Sequence, residues 1–160
     1  MNTCQFSPDR RYRYTLEHRW DDLLPAEPRR IMWVGLNPST ADEQQLDPTL
    51  RRIRGFSQAW GFTSFVMTNL FAFRATDPAV MKRAKDPVGP LNDILLKTTA
   101  ASCEIVVACW GMHGRHLGRA AQVERLMREH GRVLQCLGTT SAGDPRHPLY
   151  VRASAALRPF

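Results

Sequence analysis

Polar side chains that could bind a ligand follow the apolar segments of this sequence. The clearest case is "WVGLNPSTAD" (33–42), where an apolar run opens directly into Asn37, Pro38 and Ser39. Further amide, guanidinium, hydroxyl and imidazole groups lie near the ends of later apolar runs: Asn69, Arg74, Ser141, Arg146 and His147. Such groups can hold a water molecule or one edge of a ligand through hydrogen bonds. They are candidates for one site if the fold brings their segments together.

Four short apolar runs predict the strands of a parallel sheet: "RIMWVGL" (30–36), "SFVMTNL" (64–70), "EIVVACW" (104–110) and "RVLQCLG" (132–138). Continuous rather than alternating apolar runs are typical of strands that are buried on both faces. Helical patterns separate the strands, in "LDPTLRRIRGFSQAWG" (46–61), "GPLNDILLKTTAAS" (89–102) and "RHLGRAAQVERLMREHG" (115–131). The first pattern has Asp47 as N-cap and Pro48 at the first helical position, and it stops at Gly61.

This alternation predicts an α/β fold and one domain over residues 1–160. We expect a three-layer α/β/α sandwich with a four-stranded, mainly parallel sheet. The segment "RRYRYTLEHRW" (10–20) indicates an added N-terminal hairpin or edge strand. In an open parallel sheet, ligands bind beyond the carboxyl ends of the strands. Since Asn37, Asn69 and His147 follow or end three of the predicted strands, the architecture predicts that they converge.

The charge balance favours a nucleic-acid or nucleotide partner. The formal net charge is +7, from 22 Lys+Arg against 15 Asp+Glu, and most of the basic residues are arginine. Arginine suits the recognition of phosphates and planar groups. No apolar run reaches the roughly 20 residues of a membrane span, and the N-terminus lacks the apolar centre of a signal peptide. We therefore expect a cytoplasmic protein without membrane association.

The four cysteines do not predict a metal or iron–sulfur site. They show neither a CxxC pair nor metal-type spacing. Cys103, Cys109 and Cys136 lie in or beside apolar stretches, which is typical of buried free thiols in a reducing compartment. We expect no metal and no cofactor.

Each polar candidate also has a structural alternative. Asn37 is suited to capping a turn through its own backbone, with Pro38 fixing φ. Asn69 at a strand end can serve as a structural hydrogen-bonding residue, and His147 can be a satisfied surface histidine. The convergence favours a site, because helix caps would explain only one polar residue in each loop.

The apolar and basic candidates have structural alternatives as well. Phenylalanines such as Phe56 and Phe71 belong to protein cores far more often than to stacking platforms. The run Arg51, Arg52 and Arg54 is typical of a solvated helix face.

The motifs "GLNPS", "TNLF", "WG" and "HP", in that order, resemble those of the uracil-DNA glycosylase superfamily. The first motif of that superfamily is a Gly-x-(Asp/Asn/Ala)-Pro loop after the first strand, and its last is a His-Pro or Asn-Pro loop after the fourth. From about Arg13 to Tyr150 the chain more closely resembles a bacterial family known as domain of unknown function 1643. The marks of that family are "NPSTAD", "DPTLRR", "NLFAFRATDP", "DPVGP" and "GDPRHPLYV".

The glycosylase resemblance implies a hydrolase that cleaves the N-glycosidic bond of a modified or deaminated base in DNA. It implies that Asn37 positions water and that His147 donates a hydrogen bond to the base oxygen that gains charge. Asn69 corresponds to the amide that reads the Watson–Crick edge. The remaining expected contacts are Gly35 and a stacking ring (Phe56 or Phe71) for the base, and Ser39, Arg74, Ser141 and Arg146 for phosphate or nucleic acid.

The sequence departs from the superfamily in ways that keep two other functions open. Asn37 cannot act as a strong base, so slow chemistry is expected. The His-Pro motif continues into Leu149 and Tyr150 instead of serine and a small intercalating residue. The alternatives are a non-catalytic module that binds a nucleobase or nucleic acid, and a hydrolase of a modified free nucleotide. Asp42 is either a second carboxylate at the site or, as we prefer, a cap.

Overall fold

The structure is a computed structural model that describes residues 2–20, 29–39, 41 and 44–160. Within these residues the chain is α/β, with seven strands and four α-helices. The strands are β1 (Asn2–Phe6), β2 (Arg13–Arg19), β3 (Arg30–Gly35), β4 (Ser64–Asn69), β5 (Ile105–Ala108), β6 (Leu134–Cys136) and β7 (Arg158–Pro159). The helices are α1 (Pro48–Ala59), α2 (Pro78–Arg83), α3 (Asn92–Ala101) and α4 (Arg119–Glu129).

All seven strands form one mixed sheet in the order β1-β2-β4-β3-β5-β6-β7. The centre, β4-β3-β5-β6, is parallel and consists of the four strands predicted from the apolar runs. The segment predicted as a hairpin or edge strand (10–20) contains one strand, β2, which forms a hairpin with the preceding β1 and pairs antiparallel with β4. The prediction of a four-stranded, mainly parallel sheet is wrong, because this hairpin and the antiparallel β7 extend both edges.

Helices cover both faces of the sheet. In β3, Met32 and Val34 belong to one apolar core, while Ile31 and Trp33 belong to the other. Since neighbouring strand residues point to opposite faces, each core lies on its own side of the sheet. Helix α1 covers one side with Leu50, Ile53 and Phe56, and α2, α3 and α4 cover the other with Met81, Leu96 and Val123.

Local signals explain where the helices begin and end. The side chain of Asp47 accepts a hydrogen bond from the Leu50 backbone N–H at 2.9 Å, so α1 has the predicted N-cap. The last predicted helix was placed from residue 115, but α4 begins at Arg119. Leu117 (φ 55°) and Gly118 (φ 65°) both adopt left-handed backbone, which interrupts the α-helix after a 3₁₀ segment. The short helix α2 was not predicted.

The three cysteines predicted to be buried thiols are buried and unpaired: Cys103, Cys109 and Cys136. Burial raises the pKa of the Cys103 and Cys109 thiols, so both stay protonated near neutral pH. Among the described residues, the helices are too short or too polar to span a membrane.

Candidate functional site

A cleft of about 800 Å³ opens at the carboxyl ends of β3, β4 and β5. The beginning of α1 and the segment that follows β6 form further walls. The cleft lies where an open parallel sheet is expected to bind its ligands. Six of the residues singled out in the sequence line it together: Gly35, Asn37, Ser39, Asn69, Arg146 and His147.

The two phenylalanines expected to stack on a ligand lie in the cores instead of the cleft. Phe56 is 3% exposed and packs beside Trp33 and Trp60, with ring centroids 6.2 and 5.4 Å away. Phe71 is fully buried in the core on the other side of the sheet. Neither ring is accessible to a ligand in this structure.

Arg74 and Ser141 also lie away from the cleft lining. The Arg74 guanidinium lies over the Phe6 ring at 5.0 Å and donates to the Arg10 backbone oxygen at 3.3 Å. Ser141 is exposed in the turn before Asp144, which Arg115 ties down through an ion pair at 2.8 Å. The structure therefore does not bring either residue to the other candidates.

Asn69 is the unusual group in the cleft. It is the last residue of β4, pairs with Gly35 across the parallel ladder, and is only 1% exposed. Within the described part of the chain, neither the nitrogen nor the oxygen of its side-chain amide has a hydrogen-bond partner. Buried amides are nearly always satisfied, because leaving them unpaired costs free energy. The absent side chain of Gly35 makes room for this amide, since a Cβ there would lie 3.0 Å from the Asn69 Oδ1.

The backbone around Asn69 is held by two buried polar side chains. Asn92 of α3 donates from Nδ2 to the main-chain oxygens of Asn69 and Leu70, at 3.0 Å each. Arg119, 3% exposed at the start of α4, donates from Nε to the Leu70 oxygen at 2.8 Å and also pairs with Asp93. These contacts fix the main chain from which the free amide projects.

Asn37 combines a structural bond with a free acceptor. Its Nδ2 donates to the Ala75 backbone oxygen at 2.7 Å, which ties the loop after β3 to the loop after β4. The Ala75 N–H donates back to the Pro38 oxygen at 2.9 Å. The nitrogen is thereby committed to the protein, and the side-chain oxygen is the atom that can accept from water or a ligand.

His147 presents a neutral ring with a defined tautomer. Its Nδ1 accepts from the Leu149 backbone N–H at 3.2 Å, so the ring proton resides on Nε2. Burial lowers the pKa of His147, an effect that the negative charge of Asp47 partly opposes. The Nε2–H is therefore available as a neutral hydrogen-bond donor around pH 7.

The family of this chain follows from a comparison with protein-family models. The model described as "Protein of unknown function (DUF1643)" matches residues 13–149. The chain belongs to the DUF1643 family. The predicted membership is thus confirmed. A search of curated proteins and a search of solved structures gave no match.

Several cleft residues of this DUF1643 chain were not among the candidates. Tyr150, after the His-Pro motif, brings an exposed aromatic residue to the cleft in place of the buried phenylalanines, whereas Trp110, directly after β5, lines the cleft but has its side chain in the core. Trp110 is 3% exposed and Tyr150 is 78% exposed. Their positions behind a strand end and a site loop were the signals that could have identified them.

Arg13 is a third residue that sequence reasoning missed. It lies in β2, lines the cleft, and is only 2% exposed. Its guanidinium donates to the Ala41 backbone oxygen, which links the added hairpin to the loop after β3. An arginine within an alternating basic and aromatic hairpin carries no sequence signal that separates it from surface arginines.

The cleft of the DUF1643 chain offers few groups for acid–base or metal chemistry. Among the described residues that line it, Asp47 is the carboxylate, and it is engaged as the N-cap of α1. Within residues 2–20, 29–39, 41 and 44–160, no three His, Cys, Asp or Glu side chains cluster as a metal site would require. Asp42, the possible second carboxylate, lies outside the described residues, as does Thr40.

Proposed function

We propose that the cleft binds a nucleobase and that the protein hydrolyses the N-glycosidic bond of a modified or deaminated base in DNA. The observation that supports this is the buried, unpartnered amide of Asn69. A ligand edge with an adjacent donor and acceptor would satisfy both of its polar atoms at once. Nucleobases carry such edges, and their planar rings suit a cleft that has the exposed Tyr150 at its wall.

The other polar groups fit the needs of N-glycosidic hydrolysis. In this reaction a water oxygen adds to C1′ of the sugar, the C1′–N bond breaks, and the base leaves with the bonding electrons. Asn37 would hold the water through its free oxygen, and the His147 Nε2–H would stabilise the charge on the departing base. The base finally takes up the proton that the water releases. The motif resemblance to uracil-DNA glycosylases supports the same assignment.

One observation favours a second candidate, a module that binds a nucleobase without cleaving it. The Asn37 nitrogen braces two loops, and Asp47 caps a helix. The two histidines of the cleft already accept hydrogen bonds at Nδ1, His113 from the Lys82 ammonium at 3.0 Å and His147 from the Leu149 N–H. The described cleft residues thus provide no strong, free base to activate water. We therefore expect hydrolysis to be slow, and a comparison of binding with cleavage separates the two functions.

The test is a cleavage assay on labelled single- and double-stranded oligonucleotides that contain uracil, hypoxanthine, xanthine or hydroxymethylated pyrimidine. Alkali reveals abasic sites, and binding to the same oligonucleotides and to free nucleotides is measured in parallel. Asn69→Leu, Asn37→Ala and His147→Ala are compared with Ser141→Ala, an exposed control outside the cleft lining.

Abasic product that is lost in the cleft variants and kept in the control would support the hydrolase. Binding that needs Asn69, without product, would favour the non-catalytic module. Cleavage of free nucleotides alone would assign the third function left open by the sequence. If the protein neither binds nor cleaves any of these molecules, the nucleobase assignment is wrong.

A further inference from the structure

Two segments beside the cleft contain several arginines and no acidic residue. Helix α1 (Pro48–Ala59) and the C-terminal segment 145–160 contain no Asp or Glu. Together they carry six of the 22 Lys and Arg residues: Arg51, Arg52, Arg54, Arg146, Arg152 and Arg158. We call these two segments the arginine surface. From the sequence alone, Arg51, Arg52 and Arg54 are interpreted only as a solvated helix face.

The two segments form a continuous surface that reaches the cleft. Arg52 donates to the Val151 backbone oxygen at 2.6 Å, so helix and segment are in direct contact. Leu157 and Val151 pack against the same core that α1 covers. Both segments also line the cleft, the helix through Pro48–Leu50 and the C-terminal segment through Arg146 and His147.

Two described acidic residues at the borders of this surface are already engaged. Asp47 caps α1 through the Leu50 N–H, and Asp144 is held by Arg115 in a two-pronged ion pair at 2.8 and 2.9 Å. Among the described residues, the ion pairs involve arginines elsewhere in the chain: Arg11, Arg29, Arg30, Arg115 and Arg119. The positive charge of the arginine surface is thus not neutralised by these pairs.

We propose that the arginine surface binds the sugar–phosphate backbone of a single-stranded nucleic acid whose base enters the cleft. This inference rests on the proposed function, which it deepens by naming a single strand as the substrate and the surface that binds its backbone. Arginine clusters without nearby acids bind phosphates by charge and by hydrogen bonding. A free nucleotide would require the cleft but not a surface that runs along a whole helix.

Exposed apolar side chains at the cleft favour a single strand over a duplex. Tyr150 is 78% exposed and Leu149 is 45% exposed, and both line the cleft at the edge of the arginine surface. Aromatic side chains beside a basic surface are the usual platforms for unpaired bases, since every base has a face that can stack. A strand on this surface could stack on Tyr150 while its phosphates contact Arg51 and Arg152.

The test measures binding of a fluorescent single-stranded oligonucleotide of about 16 nucleotides by anisotropy at several salt concentrations. The double variant Arg51→Gln/Arg152→Gln removes two exposed charges outside the cleft lining. Its matched control is Arg125→Gln/Arg128→Gln, which removes two exposed charges from α4 on the other side of the sheet. Nucleoside monophosphates, the duplex and phosphatidylserine vesicles are the comparison ligands.

We expect the arginine-surface variant to bind the single strand about tenfold more weakly at low salt. The slope of log binding constant against log salt concentration should be shallower by about 1.4, because two phosphate contacts are lost. The control variant should bind like the wild type, and monophosphate binding should be unchanged in both. Tyr150→Ala should weaken binding of the single strand more than that of the duplex.

Four results would overturn the inference. Equal weakening in both double variants would indicate a general effect of net charge. Preference for the duplex, with no effect of Tyr150→Ala, would exclude the single strand, and vesicle binding without oligonucleotide binding would point to a membrane surface. Loss of monophosphate binding in Asn69→Leu, with an unaffected arginine-surface variant, would leave the proposed function standing while this inference fails. Weaker oligonucleotide binding in the arginine-surface variant, with unchanged monophosphate binding in Asn69→Leu, would support phosphate binding by the arginine surface and reject base recognition in the cleft.

Discussion

Asn92 donates its side-chain amide nitrogen to the main-chain oxygen of Asn69 at 3.0 Å, while neither polar atom of the Asn69 amide has a partner among the described residues. The side-chain oxygen of Asn92 is likewise unpartnered there, so the two amides differ in the state of their nitrogens. Asn92 uses its nitrogen to hold the backbone, and Asn69 keeps both polar atoms for the cleft. An unpaired buried amide lowers the stability of the fold. A ligand that forms hydrogen bonds with the amide removes this free-energy cost on binding.

Asn69→Leu should therefore increase stability while abolishing ligand binding. The substitution replaces an unsatisfied amide with an apolar group of similar shape, which is neutral or favourable for folding. We expect the free energy of unfolding to rise by up to about 1 kcal/mol. Urea denaturation measures the stability, and nucleotide or oligonucleotide binding measures the loss. Destabilisation by more than about 1 kcal/mol would mean that the amide has partners within the fold.

Asn92→Leu should have the opposite effect on stability. It removes the donor from the Asn69 oxygen, while Arg119 still serves the Leu70 oxygen. Leaving one buried carbonyl unpaired should lower the free energy of unfolding by about 2 kcal/mol. Asn69→Leu is the matched control, because it makes the same chemical change one contact away. Equal stability changes in the two variants would contradict the division of roles.

Gly35→Ala should impair the site more than the fold. The added Cβ would lie 3.0 Å from the Asn69 Oδ1 and would also press on the Met67 side-chain methyl. The methyl ends a flexible side chain and can move, whereas the amide can only turn away from its present position. We expect ligand affinity to fall about tenfold, the equivalent of 1.4 kcal/mol, in binding titrations.

Met67→Ala provides the control for this effect. The double variant Gly35→Ala/Met67→Ala relieves the contact with the methionine but keeps the contact with the amide. Affinity should therefore remain low in the double variant. Recovery of wild-type affinity there would show that Met67, and not Asn69, transmits the change.

His18 should make the protein less stable in mild acid. Its Nδ1 contacts the Asn2 side-chain oxygen at 2.5 Å, and its buried Nε2 has no partner. Burial lowers the pKa of His18 from 6.5 to about 4, with the charge of Arg54 as a further cause. Between these two values the unfolded chain binds more protons than the native one, so stability falls as the pH falls from about 6.5 to about 4.

Denaturant titrations across this pH range measure the effect. His18→Phe should flatten the loss of stability, because the ring packs against Trp20 and Phe65 and a phenyl group can keep these contacts. Trp20→Phe, which alters the same ring cluster without removing a titratable group, is the matched control and should leave the pH dependence intact. If the stability of His18→Phe falls with pH as steeply as that of the wild type, groups other than His18 cause the loss.

Much of the fold was predictable because its signals are local. Asp47, Pro48 and Gly61 mark the limits of α1 in the sequence, and continuous apolar runs mark the four parallel strands. The full sheet was not predictable in this way. Strand β7 has two residues, and its pairing with β6 depends on main-chain hydrogen bonds between distant segments.

The aromatic groups of the site show the same limit. Phe71 directly follows a predicted strand and Phe56 lies within the first predicted helix, yet both side chains point into the cores. The exposed Tyr150 lines the cleft instead. Which face a ring occupies depends on how helices and loops pack on the sheet, and adjacent sequence carries little of that information.

The sequence by itself determined the family and the placement of polar residues at the ends of parallel strands, since strands of one direction deliver their ends to one edge. It did not distinguish Asn37 from Asn69, which occupy comparable positions after or at a strand end. Only the tertiary structure gave the Asn37 nitrogen an acceptor at Ala75 and left the Asn69 amide unpaired. Hydrogen-bond satisfaction depends on groups that the fold brings from distant parts of the chain, so the free amide becomes visible only in three dimensions.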